Sequence, residues 1–295
     1  MDPFGVTCDP RLYVARLGSE AALAALLEGF AHGRRVSVLS GPPGLGKTMV
    51  LHVLAARLAP ARCLHLPYAA LGIEEFAHWA LALLGEDANP ERATIALAAA
   101  ALREPNAPLV LLVDDASALP APTARALREL IDALGGALRI VAAVVDDSRA
   151  NAAIAALGEN VLNVRLRHAL TAREVHDYVR GRIACAGASD EGARLGDAQI
   201  EWLAAESAGV PRVVNTLAAS LLREPDAAQR SASAHTERGA DASEISAAPK
   251  KPLEPDAGWL RSAHAAPDVD PGTTVTPPPR ALRKRRRLRR SRGRY

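Results

Sequence analysis

Up to Arg223 the chain alternates two hydrophobic rhythms: short continuous apolar runs, and longer stretches where apolar residues return every three or four positions. The first is the pattern of a strand buried on both faces, the second that of an amphipathic helix. A helix is predicted from Ser19, with Glu20 in its first turn and Leu23, Leu26, Leu27 and Phe30 on one face. A strand is predicted over 35–40, followed by a helix that runs to about Leu58. A second strand over 63–66 precedes helices over 73–84 and roughly 91–103. The third strand, Leu109–Val113, is apolar throughout. A helix over 122–134, a strand over 138–145, a short helix over 149–157 and a strand over 161–166 complete the alternation. Strands alternating with helices through short connections predict a parallel α/β sheet.

After residue 170 the strand pattern ends. Thr171-Ala-Arg-Glu174 has capping-box spacing, with Thr171 as cap and Glu174 reaching back. It opens a helix carrying Val175, Tyr178, Val179 and Ile183, and helices over 198–207 and 212–222 follow, a small lid of about three helices. Beyond Arg223 the composition turns to Ala, Ser, Asp, Pro and Lys, with Trp259 and Leu260 as the obvious apolar anchor. Such a segment buries too little surface to offset its chain entropy, so disorder is expected over 224–279. The expected division is an α/β domain at 1–168, the lid at 169–223, the linker at 224–279 and a basic tail at 280–295.

Composition narrows the picture. Aromatic residues make up only 3% of the 295 positions, so the core must rest on Ala, Leu and Val. The longest apolar run, Ile95 to Leu102, falls far short of the ~18 residues of a membrane span. Met-Asp-Pro-Phe-Gly at the start lacks the features of a signal peptide. Three widely spaced cysteines (Cys8, Cys63 and Cys185) suggest free thiols in a reducing compartment, and the histidines show no metal-ligand spacing. A cytoplasmic chain, metal-independent apart from Mg²⁺, is expected. The net charge of +3 conceals a division: residues 280–295 hold ten Lys/Arg and no acid, leaving 26 cations against 33 acids elsewhere.

The chemistry concentrates in Leu39-Ser-Gly-Pro-Pro-Gly-Leu-Gly-Lys-Thr48. Gly41, Gly46, Lys47 and Thr48 meet the spacing G-x-x-x-x-G-K-[ST], between a predicted strand and a predicted helix. Glycines let the backbone close around a phosphate, with N–H groups and a helix N-terminus aimed at the negative charge. Gly41, Pro42, Pro43, Gly44, Leu45, Gly46, Lys47, Thr48 and Met49 are the candidate nucleoside-triphosphate-binding residues. Lys47 would reach the β- and γ-phosphates and Thr48 would ligate Mg²⁺. Asp114 and Asp115 follow the third strand, at the end where ligands of open α/β sheets collect. Asp114 would hold the metal, and Asp115 would orient or deprotonate the attacking water.

Together the loop, the acidic pair and a helical segment bearing Gly209-Val-Pro-Arg212 resemble an AAA+ ATPase. The chain is similar, more narrowly, to the ExeA/GspA type II secretion ATPases and the TniB/TnsC-like transposition ATPases. The residues carrying that likeness are Asp9-Pro-Arg-Leu-Tyr13, Glu20 through Gly29, the Gly-Pro-Pro-Gly loop and Leu166 through Gly187. The resemblance implies the P-loop NTPase fold, a three-layer αβα parallel sheet with a C-terminal helical lid. It also implies ATP and Mg²⁺ as cofactors, hydrolysis, and a homo-oligomer with ATP at subunit borders. Arg212 would touch the γ-phosphate from the lid.

The sequence departs from that family at three places. Asp115 stands where Glu is common, Val145 where a polar first sensor is expected, with Asp146 and Asp147 just beyond, and Asn160 where a neighbour's arginine finger usually lies. Arg149 or Arg165 would have to substitute for the finger. Because misplacement by about 1 Å can cost ~10²-fold in rate, ATP binding and slow hydrolysis are expected together. Two functions follow: an ATP-hydrolysing switch that oligomerises and remodels a partner, or a weakly hydrolysing nucleotide-gated adaptor. The basic tail offers contact with DNA or another polyanion such as an acidic lipid surface, or it folds back on the acidic body. ExeA-like proteins usually continue into a membrane span and a peptidoglycan-binding part. This stretch has neither, and a soluble relative tied to mobile DNA is expected.

Overall fold

The structure is a computed structural model, and it describes residues 1–5, 7–86, 89–188 and 195–223. The linker and basic tail expected beyond Arg223 lie outside the described residues.

Helices and strands follow the predicted alternation: α1 (Leu17–Ala31), β1 (Val36–Ser40), α2 (Lys47–Arg57), β2 (Arg62–Leu66), α3 (Ile73–Leu83), α4 (Ala93–Leu102), β3 (Leu109–Val113), α5 (Ala121–Leu134), β4 (Leu138–Val144), α6 (Ser148–Leu157) and β5 (Leu162–Arg165). Three further helices follow, α7 (Ala172–Ala186), α8 (Asp197–Ser207) and α9 (Pro211–Arg223). The five strands form one parallel sheet in the order β2-β3-β4-β1-β5.

The sheet divides its side chains by parity. In β3, Leu109, Leu111 and Val113 face a cluster built with α3, α4, α5 and α6, where Phe76, Leu97, Leu127 and Ile131 lie. Val110 and Leu112 face the opposite cluster, built with Leu23 and Leu26 of α1 and Leu51 and Leu54 of α2. Period-two alternation therefore persists in a strand with no polar residue, because both faces are covered. The result is the expected three-layer αβα sandwich.

Helices antiparallel to the strands bring their C-terminal carbonyls to the N-terminal edge of the sheet. Arginines near the strand starts meet them there. Arg62 donates to Ala100 O at 2.9 Å at the end of α4, and Arg139 to Phe30 O at 2.7 Å at the end of α1. Arg128 reaches Leu157 O, the last residue of α6, at 2.8 Å. Cationic donors at helix C-termini satisfy orphan carbonyls and oppose the negative pole of the dipole. Arg34, Arg35, Arg128, Asp132 and Asn160 line a cleft of about 640 Å³ at this edge.

A third apolar cluster joins Val175, Val179 and Ile183 of α7, Ile200 and Leu203 of α8, and Val214 and Leu221 of α9. The Thr171 capping box forms as read: the Glu174 N–H donates to Thr171 Oγ1 at 3.2 Å and the Thr171 N–H to Glu174 Oε2 at 2.9 Å. Phe4, which the sequence placed with the α/β segment, packs in this helical cluster instead. The fully buried Arg182 of α7 ties the chain start down, donating to Pro3 O at 2.7 Å and Leu12 O at 3.2 Å.

Candidate functional site

Gly41 to Gly46 leave the C-terminal end of β1, and α2 begins at Lys47. Gly46 serves as N-cap without any side-chain hydrogen bond, so the first N–H groups of α2 are open to an external acceptor. The Lys47 Nζ donates to Gly41 O at 2.8 Å and Pro42 O at 2.9 Å, which folds the ammonium across its own loop. Burial pulls the Lys47 pKa below the usual lysine range, against the opposing pull of Asp114 and Asp115.

Thr48 donates its hydroxyl to Asp114 Oδ2 at 2.5 Å. The strand order makes this contact informative. β1 and β3 are not neighbours, because β4 lies between them, so the loop and α2 reach over the end of β4 to the carboxylate. The other carboxylate oxygen, Oδ1, accepts from the Asp115 N–H at 3.0 Å. Asp115 is exposed and has left-handed backbone, φ +46°. This conformation is uncommon outside glycine, although Asp and Asn tolerate it better than most. It turns the chain sharply at the end of β3.

The lid meets the loop directly. The Arg212 N–H donates to Gly44 O at 3.2 Å, and a Cβ at Gly44 (φ +81°) would lie 2.8 Å from Val210. Gly209, φ +69°, is constrained further, since a Cβ there would meet Leu170 O at 1.9 Å. Leu170 in turn donates its N–H to Gly209 O at 2.8 Å. The Gly-Val-Pro-Arg segment is thus pinned both to the connector after β5 and to the loop, with the Arg212 side chain exposed.

The remaining predicted residues separate. The Val145 N–H donates to Ser117 Oγ at 2.9 Å, and Asp147 caps α6 by accepting from the Ala150 N–H at 2.8 Å. Asn160 lies at the opposite edge of the sheet, in the arginine-lined cleft, and accepts from Arg34 Nη1 at 2.6 Å. Arg149 and Arg165 are both exposed, in α6 and at the end of β5.

Two neighbours of the loop had no signature in the sequence. Arg16 donates to Leu45 O within the loop and to His168 O at 3.2 Å in the connector to the lid. Burial lowers its pKa. His65, near the end of β2, packs tilted against His52 of α2 with ring centroids 4.3 Å apart and places Nε2 4.0 Å from Asp114 Oδ2. Burial and His52 hold the His65 pKa down against the pull of Asp114. Neither belongs to a motif, and only the fold brings them to the site. Among the described residues no cluster of three His, Cys, Asp or Glu side chains could hold a metal, and no helix is long and apolar enough to cross a membrane.

Residues 31–149 match the family model described as AAA domain, which covers the loop, Asp114 and Asp115 but less than half of the chain. No curated protein matches the sequence. Among solved structures the chain is similar to Cdc6p from Pyrobaculum aerophilum, with 18% identity and a TM-score of 0.52 over 77% of this chain and 65% of that one. It is similar also to the Aeropyrum pernix Orc1 protein in complex with DNA, with 17% identity and a TM-score of 0.53 over 77% of this chain and 67% of that one. The RuvB Holliday junction branch migration motor of Thermotoga maritima gives 17% identity and a TM-score of 0.44 over 70% of this chain and 61% of that one. The chain therefore spans 65% of the first of these neighbours and 61% of the last. Strand order and loop agree with the likeness to the first two: the chain has the AAA+ P-loop NTPase fold, and residues 31–149 match the AAA domain model.

Proposed function

We propose that the chain is an ATP- and Mg²⁺-dependent ATPase whose nucleotide state is read by the helical lid. The observation that carries this reading is the 2.5 Å contact between Thr48 and Asp114, which gathers a hydroxyl and a carboxylate beside the open N-terminus of α2. These are hard oxygen donors, and with the Lys47 ammonium alongside they fit a magnesium–triphosphate group. When bound, that group supplies the phosphoryl bond to be broken and the charge that neutralises it. The residues Gly41, Pro42, Pro43, Gly44, Leu45, Gly46, Lys47, Thr48 and Met49 would surround the phosphates. Lys47 would exchange two carbonyl acceptors for phosphate oxygens, and Thr48 and Asp114 would hold the metal.

Asp115 is the proposed catalytic carboxylate, since its exposed side chain directly follows Asp114. Its shorter side chain supports slow turnover. Arg212 is the proposed lid sensor. Its backbone already bonds to Gly44, so a small rotation of α9 would change its distance to the loop. In the homo-oligomer proposed for this family, a second copy would complete the site with an arginine. Arg34, held on Asn160, joins Arg149 and Arg165 as a candidate. The finer kinship proposed is to the ExeA-like and transposition ATPases, supported by Leu166 through Gly187. The test is phosphate release by purified protein against Lys47→Ala. Equal rates would refute the proposal.

The adaptor reading draws on Asp115, Val145 and Asn160 together. Rapid turnover at physiological ATP would exclude it, and a raised rate in Asp115→Glu would support it. The ten cations of 280–295 support a DNA-associated role, as sequence-independent phosphate contacts. Truncation after Pro279 should abolish a DNA gel shift without changing ATP affinity.

A further inference from the structure

β2 and β3 run parallel, with His65 beside Leu112 and Leu66 beside Val113. The pairing continues just past β3, where the Asp114 N–H donates to Leu66 O at 2.8 Å. Side chains alternate between the two faces of a sheet, so His65, Leu112 and Asp114 share the face that α2 covers. The His65 ring is held from that side as well, by His52, which lies one helical turn beyond Thr48. Sheet register and helix packing together fix the imidazole beside the carboxylate.

His65 Nε2 is nevertheless buried with no hydrogen-bond partner among the described residues. Asp114 Oδ2, 4.0 Å away, is beyond hydrogen-bond distance and accepts instead from the Thr48 hydroxyl at 2.5 Å. A carboxylate on that side favours the tautomer with its hydrogen on Nε2, and a neutral ring is enough to donate. A buried donor left unpaired is costly, so a rearrangement that brings it an acceptor is favoured.

We propose that His65 is a positioning residue for Asp114: once Thr48 and Asp114 turn from each other to the cation, His65 Nε2–H donates to the carboxylate in place of the Thr48 hydroxyl. A closure of about 1 Å brings the two atoms to hydrogen-bond distance. Oδ1 is already held by the Asp115 N–H, so the new bond would fix the carboxylate at both oxygens. Each carboxylate oxygen has more than one lone pair, and accepting from His65 does not prevent Asp114 from holding a metal. The inference rests on the magnesium reading of Thr48 and Asp114.

The experiment is Mn²⁺ affinity by electron paramagnetic resonance, on the full-length chain with ADP. His65→Phe keeps a flat ring against His52 and removes the donor. His65→Met and His65→Gln have nearly the same shape as each other, and only Gln returns an N–H. Phe and Met should weaken Mn²⁺ binding by roughly 10–100-fold, the usual loss when a partner of a metal ligand is removed. Gln should recover most of it, and ADP affinity in EDTA should stay at the wild-type value throughout. Phe or Met variants that hold Mn²⁺ like wild type, or a Gln variant as weak as Met, would overturn the role of His65. Asp114→Ala tests the reading beneath it: if that variant binds Mn²⁺ like wild type, the magnesium site falls and the positioning role falls with it.

Discussion

Thr48 and Asp114, 66 residues apart in sequence, share a 2.5 Å hydrogen bond across the end of a strand that belongs to neither of their segments. The bond sets where a metal would be held, since both oxygens would turn from each other to a cation. Asp114→Ala should therefore reduce Mg²⁺-dependent phosphate release by about 10²-fold or more, the scale of a lost charge-stabilising contact. Nucleotide affinity measured in EDTA should change much less. Equal losses in both measurements would remove Asp114 from metal binding.

Asp115 allows backbone and chemistry to be separated. Asp115→Asn keeps a residue that tolerates left-handed backbone, so its stability should stay within about 0.5 kcal/mol of wild type. Its turnover should fall by ~10²–10⁴ if the carboxylate acts on water. Asp115→Val should lose the same activity and, in addition, about 1–3 kcal/mol of stability, because a β-branched residue is strained at φ +46°. Urea unfolding and a phosphate-release assay on both variants decide the matter.

Arg34 is the guanidinium held at Asn160. Alanine replacements of Arg34, Arg149 and Arg165 should leave ATP affinity unchanged, and Arg34→Ala alone should lower turnover by about 10³-fold, the low end for a lost arginine finger. Mixing Arg34→Ala with Lys47→Ala should restore part of the activity, since each would supply what the other lacks. A mixture no better than its components would exclude action between copies.

Gly209→Ala should cost about 1–3 kcal/mol, for a strained φ and a Cβ placed on Leu170 O. The damage should be local to the join between connector and lid. Hydrogen exchange should accelerate in α9 before it does in β3 or β4, and uniform acceleration would contradict that.

The capping box carries a pH signature. Hydrogen bonds from the Thr171 backbone and hydroxyl hold the Glu174 carboxyl below its ordinary value of 4.5. A lowered folded-state pKa adds stability above the unfolded value and loses it as pH falls through the folded one. Glu174→Ala should thus be less stable than wild type at pH 7 by about 0.3–1 kcal/mol, the range for a solvent-screened carboxylate in the first turn of a helix. The gap should close on acidification below pH 4.5. A gap constant from pH 7 to pH 3 would show that the carboxylate charge is irrelevant to the cap.

Much of this was legible in the sequence. Leu109–Val113 needed no correction, because five consecutive apolar residues have only one comfortable place in an α/β sheet. The Thr171 box was readable because its partners lie three residues apart. What escaped depends on distant segments meeting. Nothing local in Arg62, Arg128 or Arg139 marks them as caps for helices far away in the chain, and nothing in Arg16 announces Leu45 and His168. The order that places β4 between β1 and β3 is equally silent, as strands buried on both faces look alike. In the sequence Asn160 stands in place of an arginine, and only the fold brings Arg34, from another loop, onto its amide oxygen.

Phe4 and the carbonyl of Pro3 lie within the helical lid although they are among the first residues of the chain. The segment around Pro3 and Phe4 therefore acts as a tether, and a change made there is a change to the helical cluster's own stability. Phe4→Ala, or a protease cut between residues 4 and 10, should loosen α7 and α9 while the sheet stays intact. Nucleotide assays on such protein would then report the loosened lid as much as the loop's hold on phosphate.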